Sequence, residues 1–531
     1  MKLVGVIGAG AAGLCAARHI LAAGGMSPVV WEKSLQSGGT WVYTPQRGKD
    51  EFDLPIHSSI YENLKTNLPK EVMGFPDFPF PSGEESFLHH SQVLQYLDSY
   101  AEHYNLHPHI KYGHFVEEVK PVKQDESYTA WDITVRDLES KKVFTTTCDA
   151  LLVCNGHYSV PQMPKIKDID KFHGPKFHSH DYREPSPYKD SKVVVLGASA
   201  SGLDIALELA TVAKEVLISH NHPVPIPSEL PPNVRQVRGV VSATENGFVF
   251  GDGSSAEADM ILYCTGYHFT FPFLAEDCGI TVEDRIVKPL YKHLFNTKYP
   301  SMAFIGIPFQ VCPFPLFDIQ VQLFIKTLSG AVTLPNKMEM DVLTHKDLEE
   351  KCSKNIPIKY FHKMGPLQWQ YDDDLANMVQ YVMAVLKGMV TLPPREKMDD
   401  ALVSHLHKQR RIGYADKSYH QLTPHGQINY TNELSAQIGI VPPLKSSFGF
   451  VILFTTLRLV FSFTLFRKYQ YRIESDGSVM ERLDGQKVNT VLSIGWLVVK
   501  HTSRLLLHDF FGVIKLATSL LSKKLKSLFF N

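Results

Sequence analysis

Lys2-Leu3-Val4-Gly5-Val6-Ile7-Gly8-Ala9-Gly10-Ala11-Ala12-Gly13 opens this chain of 531 residues, and its reading decides the fold. An apolar run the length of a buried strand leads into spaced glycines, and Gly13 to Ala23, built on Ala, Leu and Ile, reads as the helix that follows. In such a unit the glycines permit a tight turn, bring backbone against a pyrophosphate and let helix meet strand. The free N–H groups of the helix N-terminus then face the phosphate. Gly8, Ala9, Gly10, Ala11, Ala12 and Gly13 therefore form a candidate dinucleotide cradle. A second strand, Pro28 to Trp31, ends in Glu32, about 20 residues past the last glycine, where a carboxylate can accept from a ribose hydroxyl pair. The competing reading of Glu32 is a solvated charge at a strand end.

Gly197-Ala198-Ser199-Ala200-Ser201-Gly202 repeats the arrangement, between a strand at Val193–Leu196 and a helix at Gly202–Ala210. Gly197, Ser199, Ala200, Ser201 and Gly202 are its candidate contacts. No carboxylate closes the next strand, Glu215 to Ser219, which continues as His220-Asn221-His222. An acid there would repel a 2′-phosphate, so the pattern favours NADP(H) over NAD(H). Lys214 and Arg235 are candidates for the missing charge, or are plain surface residues. Two cradles hold two dinucleotides, and a flavin with a nicotinamide is the pair that makes a redox enzyme.

Asp149-Ala150-Leu151-Leu152-Val153-Cys154-Asn155-Gly156-His157 is echoed by Asp259-Met260-Ile261-Leu262-Tyr263-Cys264-Thr265-Gly266-Tyr267. Two cradle-to-strand units imply two similar lobes, with the nicotinamide lobe inserted in the flavin lobe. The length, too great for one core, agrees. The expected fold class is α/β, with two Rossmann-like dinucleotide-binding domains and an apolar helical C-terminal region. The expected boundaries are 1–164 for the first FAD part, 165–266 for NADP and 267–443 for the second FAD part with a helical region. Residues 444–531 form the apolar and basic remainder.

Phe172-His173-Gly174-Pro175-Lys176-Phe177-His178-Ser179-His180-Asp181-Tyr182 matches FxGxxxHxxxY at every fixed position, just upstream of the second cradle. With Gly38-Gly39-Thr40-Trp41, Thr66-Asn67-Leu68-Pro69-Lys70-Glu71, Phe75-Pro76-Asp77-Phe78-Pro79-Phe80 and Cys264-Thr265-Gly266-Tyr267, the chain resembles the flavin-containing monooxygenases. The likeness is strong to about Leu334, weak to about Pro443, and leans to the sulfur-oxidising glucosinolate S-oxygenase branch. Baeyer–Villiger monooxygenases typically end the related signature in Trp, so Tyr182 favours oxygenation at a heteroatom without excluding a carbonyl.

The resemblance implies FAD and NADP(H). NADPH would reduce the flavin, O2 would add as a C4a-hydroperoxide, and its distal oxygen would pass to a soft nucleophile, a sulfide or an amine. The flavin supplies the hard chemistry while the protein binds, orients and keeps water out. Gly39, Thr40, Trp41, Thr66, Asn67, Leu68, Thr265, Gly266 and Gln320 carry over as cofactor contacts, and Asn67 as the catalytic residue. A neutral amide can donate to a peroxide and accept from a nicotinamide without adding charge. Asn67 can also be read as a turn former and Trp41 as core, and His178 and Tyr182 read as orienting the link between lobes. The rival functions are carbonyl oxygenation, an uncoupled NADPH oxidase, and a membrane-bound flavin scaffold without turnover.

A net charge of −1 and 44% hydrophobic residues describe a globular chain without a nucleic-acid footprint. Seven cysteines without CxxC spacing read as reduced thiols, and no metal-ligand spacing appears, His89-His90 and His178-Ser179-His180 included. The first strand begins almost at Met1, so no cleaved signal is expected and the catalytic part should face the cytosol. A homodimer stays open.

Phe448 to Phe466 is almost continuously apolar, broken by Arg458 and closed by Arg467-Lys468. A central arginine costs roughly 3 kcal/mol in a span. Val491–Val499, Leu505–Leu507, Phe510–Ile514 and Leu520–Phe530 interleave apolar groups with lysine and arginine, as in helices on an anionic membrane surface. The expectation is attachment to the endoplasmic reticulum membrane through this end; the rival is a pair of core helices.

Overall fold

The computed structural model describes residues 1–83, 85–123, 129–226, 229–368, 370–376, 378, 466–473, 479–483 and 486–488. Two mainly parallel sheets organise them. Seven strands form the first, in the order Leu290–Tyr291, Phe295–Asn296, Met302–Phe304, Ala150–Val153, Lys2–Ile7, Met26–Trp31, Ile110–Lys111. Five parallel strands form the second, in the order Val234–Arg238, Glu215–His220, Lys192–Leu196, Met260–Tyr263, Lys176–His178. Strands from both ends of the segment 1–304 share the first sheet, and those from 176 to 263 make the second. This is mixed α/β architecture. The strands are near-continuous aliphatic runs because both faces are covered: Val193, Val194 and Val195 are all fully buried.

The echo in the sequence is a repeat in atoms. Each echo strand lies parallel beside its cradle strand, Val4↔Ala150 in one sheet and Val193↔Met260 in the other. The aspartate ahead of each does the same work. The Asp149 carboxylate accepts from Leu3 N at 2.6 Å, and Asp259 accepts from Lys192 N at 2.6 Å. Each cysteine amide closes the other end, Cys154 N to Ile7 O at 3.0 Å and Cys264 N to Leu196 O at 2.8 Å. A three-stranded antiparallel meander precedes each echo strand, at His114–Cys148 and Val240–Glu257.

Two chain crossings join the lobes, and they pair with each other. Tyr267 and His268 lie antiparallel to Pro161 and Val160. Thr265 Oγ1 donates to Gln162 O at 2.6 Å, and Gln162 N donates to Gly266 O at 2.9 Å. All fixed positions of the 172–182 motif are explained here. Phe172 is buried against Phe248. A Cβ on Gly174 would stand 2.2 Å from the Asp259 carbonyl oxygen. His178 Nδ1 accepts from His180 N at 3.1 Å, and buried Tyr182 donates to Glu208 at 2.9 Å.

Between the apolar stretches of the C-terminal part, Tyr469–Ile473, Val479–Leu483 and Gln486–Lys487 form an antiparallel sheet. The reason lies in period two: Tyr469 and Tyr471, alternate residues of β-favouring type, are buried together. Asp372-Asp373-Asp374 sits in helical 370–376 with Asp372 and Asp373 buried, and burial pushes Asp372 up to about 8. The apolar stretches 448–465 and 491–530 lie outside the described residues. Among those described, no helix is long and apolar enough to cross a membrane.

Candidate active site

The first cradle is built as its glycines require. Gly8 has φ +99°, and a Cβ there would stand 2.7 Å from the Cys154 carbonyl oxygen. A Cβ on Gly13 would stand 1.8 Å from Gly8 O, so only glycine lets the helix start this close to the strand. Helical bonding begins with Leu14 N to Gly10 O, which leaves the amides of Ala11, Ala12 and Gly13 ahead of the first helical bond. Glu32 is buried. Its Oε2 accepts from Ala9 N at 2.7 Å, and Oε1 accepts from Ser34 N and Oγ at 2.9 and 2.7 Å. The carboxylate is thus fixed against the cradle rather than solvated. Gly39, Thr40 and Trp41 form a single turn whose glycine nests on Gly10, where an added Cβ would be 2.9 Å from the Gly10 Cα. Gly38 N donates to Ala9 O at 3.0 Å, Ser58 Oγ holds the Thr40 carbonyl at 2.8 Å, and Trp41 packs part-buried on the first core.

The second cradle repeats this with one difference. A Cβ on Gly202 would lie 1.9 Å from Gly197 O, and Gly197 has φ +114°. However, Ser199, Ala200 and Ser201 are exposed, whereas Ala9, Ala11, Ala12 and Gly13 are buried. One cradle is enclosed by its lobe; the other opens to solvent.

Neither candidate cation, Lys214 or Arg235, lies at the glycine edge of the second sheet. Arg235 pairs with Glu215 at 2.6 Å, and Lys214 precedes that strand, both on the edge away from the glycines. Register instead sets Arg238 opposite His220, on the glycine edge. Its guanidinium holds the His222 and Pro223 carbonyls at 2.6 and 3.4 Å. Sequence reading missed Arg238, because only strand pairing separates it from Arg235.

Thr66 and Asn67 lie between the lobes. Thr66 is buried and exchanges bonds with Leu88, N to O at 2.8 Å and Leu88 N to Thr66 Oγ1 at 3.0 Å. Leu68, half-buried, packs on the same small apolar cluster as Leu203 and Leu207 of the second cradle helix. Asn67 is exposed, and its amide bonds to no described residue. Its φ is not positive, so the turn needs no asparagine. Gln320 differs. It is fully buried, with Oε1 taken by Gly306 N at 3.0 Å and Nε2 by Tyr371 Oη at 2.7 Å, so it shapes the loop after Met302–Phe304. Burial holds His178 down at about 4, which favours the neutral ring near pH 7, and pushes Glu71 up to about 7.

A model of the "Flavin-binding monooxygenase-like" family matches residues 1–228 and 225–382. The chain belongs to the flavin-binding monooxygenases. It is similar to "Flavin-containing monooxygenase FMO GS-OX-like 2" of Arabidopsis thaliana, 39% identical over 403 residues, covering 71% of this chain and 85% of the relative. Among solved structures it is similar to S-allyl-L-cysteine S-oxygenase from Allium sativum, with 34% identity and TM-score 0.67, covering 82% of this chain and 98% of that one. It also resembles Tmm from Pelagibacter sp. strain HTCC7211, with 28% identity and TM-score 0.64, covering 72% and 87%.

This flavin-containing monooxygenase is therefore an enzyme that depends on FAD and NADPH. Its residues fit both groups: each cradle has a strand-to-helix gap that a single Cβ would close, and amides that precede the first helical bond. All seven cysteines are unpaired. Among the described residues one group brings metal-ligand types together, Cys15, His19 and Asp318, with ligand atoms within 4.8 Å of one another. Its carboxylate is already engaged by His19 Nε2 and Gln322 Nε2, both at 2.6 Å, and burial keeps the Cys15 thiol protonated. The group is a polar bridge between the helices Ala11–Ala23 and Pro313–Leu328.

Proposed function

We propose that this monooxygenase transfers one atom of O2 to the sulfur of a small thioether, with amines as a second class. The observation that carries the reading is likeness to an S-oxygenase over almost the whole of that enzyme's length, joined to a neutral, exposed Asn67 between the cradles. The flavin, when bound and reduced by the nicotinamide, supplies oxygen activation. The chain's own part is to hold, orient and shield. FAD is assigned to 1–164 and 267–443, where the enclosed cradle and Glu32 would keep it resident. NADP(H) is assigned to 165–266, where the open cradle suits a cofactor that enters and leaves. Asn67 would donate its amide N–H at the reacting face, and Arg238 with His222 would meet the 2′-phosphate.

Purified enzyme given NADPH, O2 and a dialkyl sulfide should form sulfoxide in near-equal amount to NADPH consumed, and a cyclic ketone should give little lactone. Lactone as the main product, peroxide alone, or no NADPH consumption would overturn the proposal in favour of the respective rival. In the same assay Arg238→Ala should narrow the preference for NADPH over NADH about tenfold, as loss of one charge-assisted phosphate contact implies. An unchanged preference removes Arg238 from that role. Attachment to the endoplasmic reticulum through 448–465 and 491–530, with the catalytic lobes cytosolic, is likewise proposed. Failure of the full chain to float with anionic vesicles would reject it.

A further inference from the structure

Arg467 was read as the basic end of an apolar stretch, but its guanidinium is spread over acceptors on both lobes. Nη1 meets Asp204 Oδ1 at 2.5 Å, Nε donates to the Thr66 carbonyl at 3.1 Å, and Nη2 donates to the Lys65 carbonyl at 2.8 Å. Asp204 stands in the second cradle helix, Ala200–Leu209, and its other oxygen accepts from the Tyr61 hydroxyl. Lys65 and Thr66 immediately precede Asn67. The ion pair is largely shielded, with 26% of the arginine and 16% of the aspartate side chain exposed.

The strand that follows Arg467 grips the same neighbourhood. Gln470 Oε1 accepts from Ser86 N, and Tyr471 N donates to Ser86 Oγ at 2.8 Å. Ser86 Oγ in turn donates to the Glu71 carboxyl at 3.2 Å. Tyr469 and Tyr471 bury with Val72 and Leu68 of one lobe and Leu203 and Leu207 of the other. Arg467, Tyr469, Gln470 and Tyr471 all lie outside the span 1–382 that matches the family model.

A planar fork suits the task. Guanidinium donors sit on three nitrogens fixed in one plane and reach a carboxylate and two carbonyls that lie apart, whereas the donors of an ammonium all radiate from one nitrogen. We infer that Arg467 is a positioning residue for oxygen transfer: by holding the Lys65 and Thr66 carbonyls against the helix of Asp204, it sets Asn67 relative to the nicotinamide cradle and keeps NADPH oxidation coupled to product. The inference rests on the reading of Asn67 given above. The competing account is an ion pair that only glues the lobes together.

The full-length holoenzyme tests this as wild type, Arg467→Ala, Arg467→Lys and Asn67→Ala. Flavin per chain, melting temperature, the share of NADPH recovered as peroxide, and hydrogen–deuterium exchange over 63–68 are measured. Arg467→Ala should keep its flavin, speed exchange at 65–67, and raise the peroxide share about tenfold, as loss of about 1.4 kcal/mol of positioning implies. Arg467→Lys should regain melting temperature through Asp204 yet stay leaky, because it cannot span the carbonyls. A peroxide share and exchange rate that simply track melting temperature across the two variants, or that stay at wild-type values, overturn the inference. Should Arg467→Ala lose its flavin, the lysine variant alone carries the comparison. Asn67→Ala separates the two ideas. If it is fully coupled, the reading of Asn67 fails whatever Arg467 does; if it leaks while both Arg467 variants do not, only the positioning role fails.

Discussion

Gly13→Val is expected to yield a colourless protein, whereas Gly202→Val should purify yellow and no longer be reduced by NADPH. Both substitutions place a Cβ under 2 Å from a carbonyl oxygen, at 1.8 Å from Gly8 and 1.9 Å from Gly197. Those oxygens are backbone and cannot swing aside, so each helix must move off its strand and carry its phosphate-facing amides with it. A shift costing only about 1.4 kcal/mol of binding already lowers affinity tenfold. The clash is larger than that, so flavin occupancy after Gly13→Val should fall by at least about tenfold. Flavin per chain by absorbance, and the rate of anaerobic reduction by NADPH, check the pair. A yellow Gly13→Val protein would remove FAD from the first cradle, and normal reduction of Gly202→Val would remove the nicotinamide from the second.

Asn67→Ala is expected to keep FAD and melting temperature but to lose oxygenation about 10- to 100-fold, with peroxide rising in its place. The structure makes this a clean test. Asn67 is exposed and its amide bonds to no described residue, so removing it should change stability by no more than about 0.5 kcal/mol. If the asparagine merely formed a turn, its loss would appear as instability and activity would follow it down. If the amide serves the reacting face, stability holds and coupling fails, with a loss in the range of one preorganised donor. Sulfoxide and peroxide yields per NADPH, taken with a melting curve, decide between them. A normal sulfoxide yield removes Asn67 from the site.

The cradles were legible because the need for glycine is local. Gly8, Gly13, Gly197 and Gly202 each answer to a backbone atom a few residues away or on the adjoining strand, and the requirement is written into the spacing. Glu32 was legible for the same reason, being placed by one strand length. The echo of Asp149 and Asp259 was visible as a pattern, but their capping of Leu3 and Lys192 was not, since it depends on which strands pair. Arg238 was missed while Arg235 was weighed: strand register puts one at the glycine edge and the other three residues away at the far edge. Gln320 carried over as a flavin contact from the resemblance, and only the fold shows its amide bonded to Gly306 and Tyr371.

Short-range geometry thus came from the order of residues alone: two glycine turns, each between a strand and a helix, and the lobe order that their repetition imposes. Contacts across hundreds of residues did not. Arg467 reaches Asp204 over a separation of 263 positions, and nothing in the composition of 448–468 distinguishes a membrane-flanking arginine from one that bridges two lobes. The physical reason is that a glycine turn is fixed by hard-core contacts within one unit. The partner of a long, charged side chain is fixed only once packing has decided which surfaces meet.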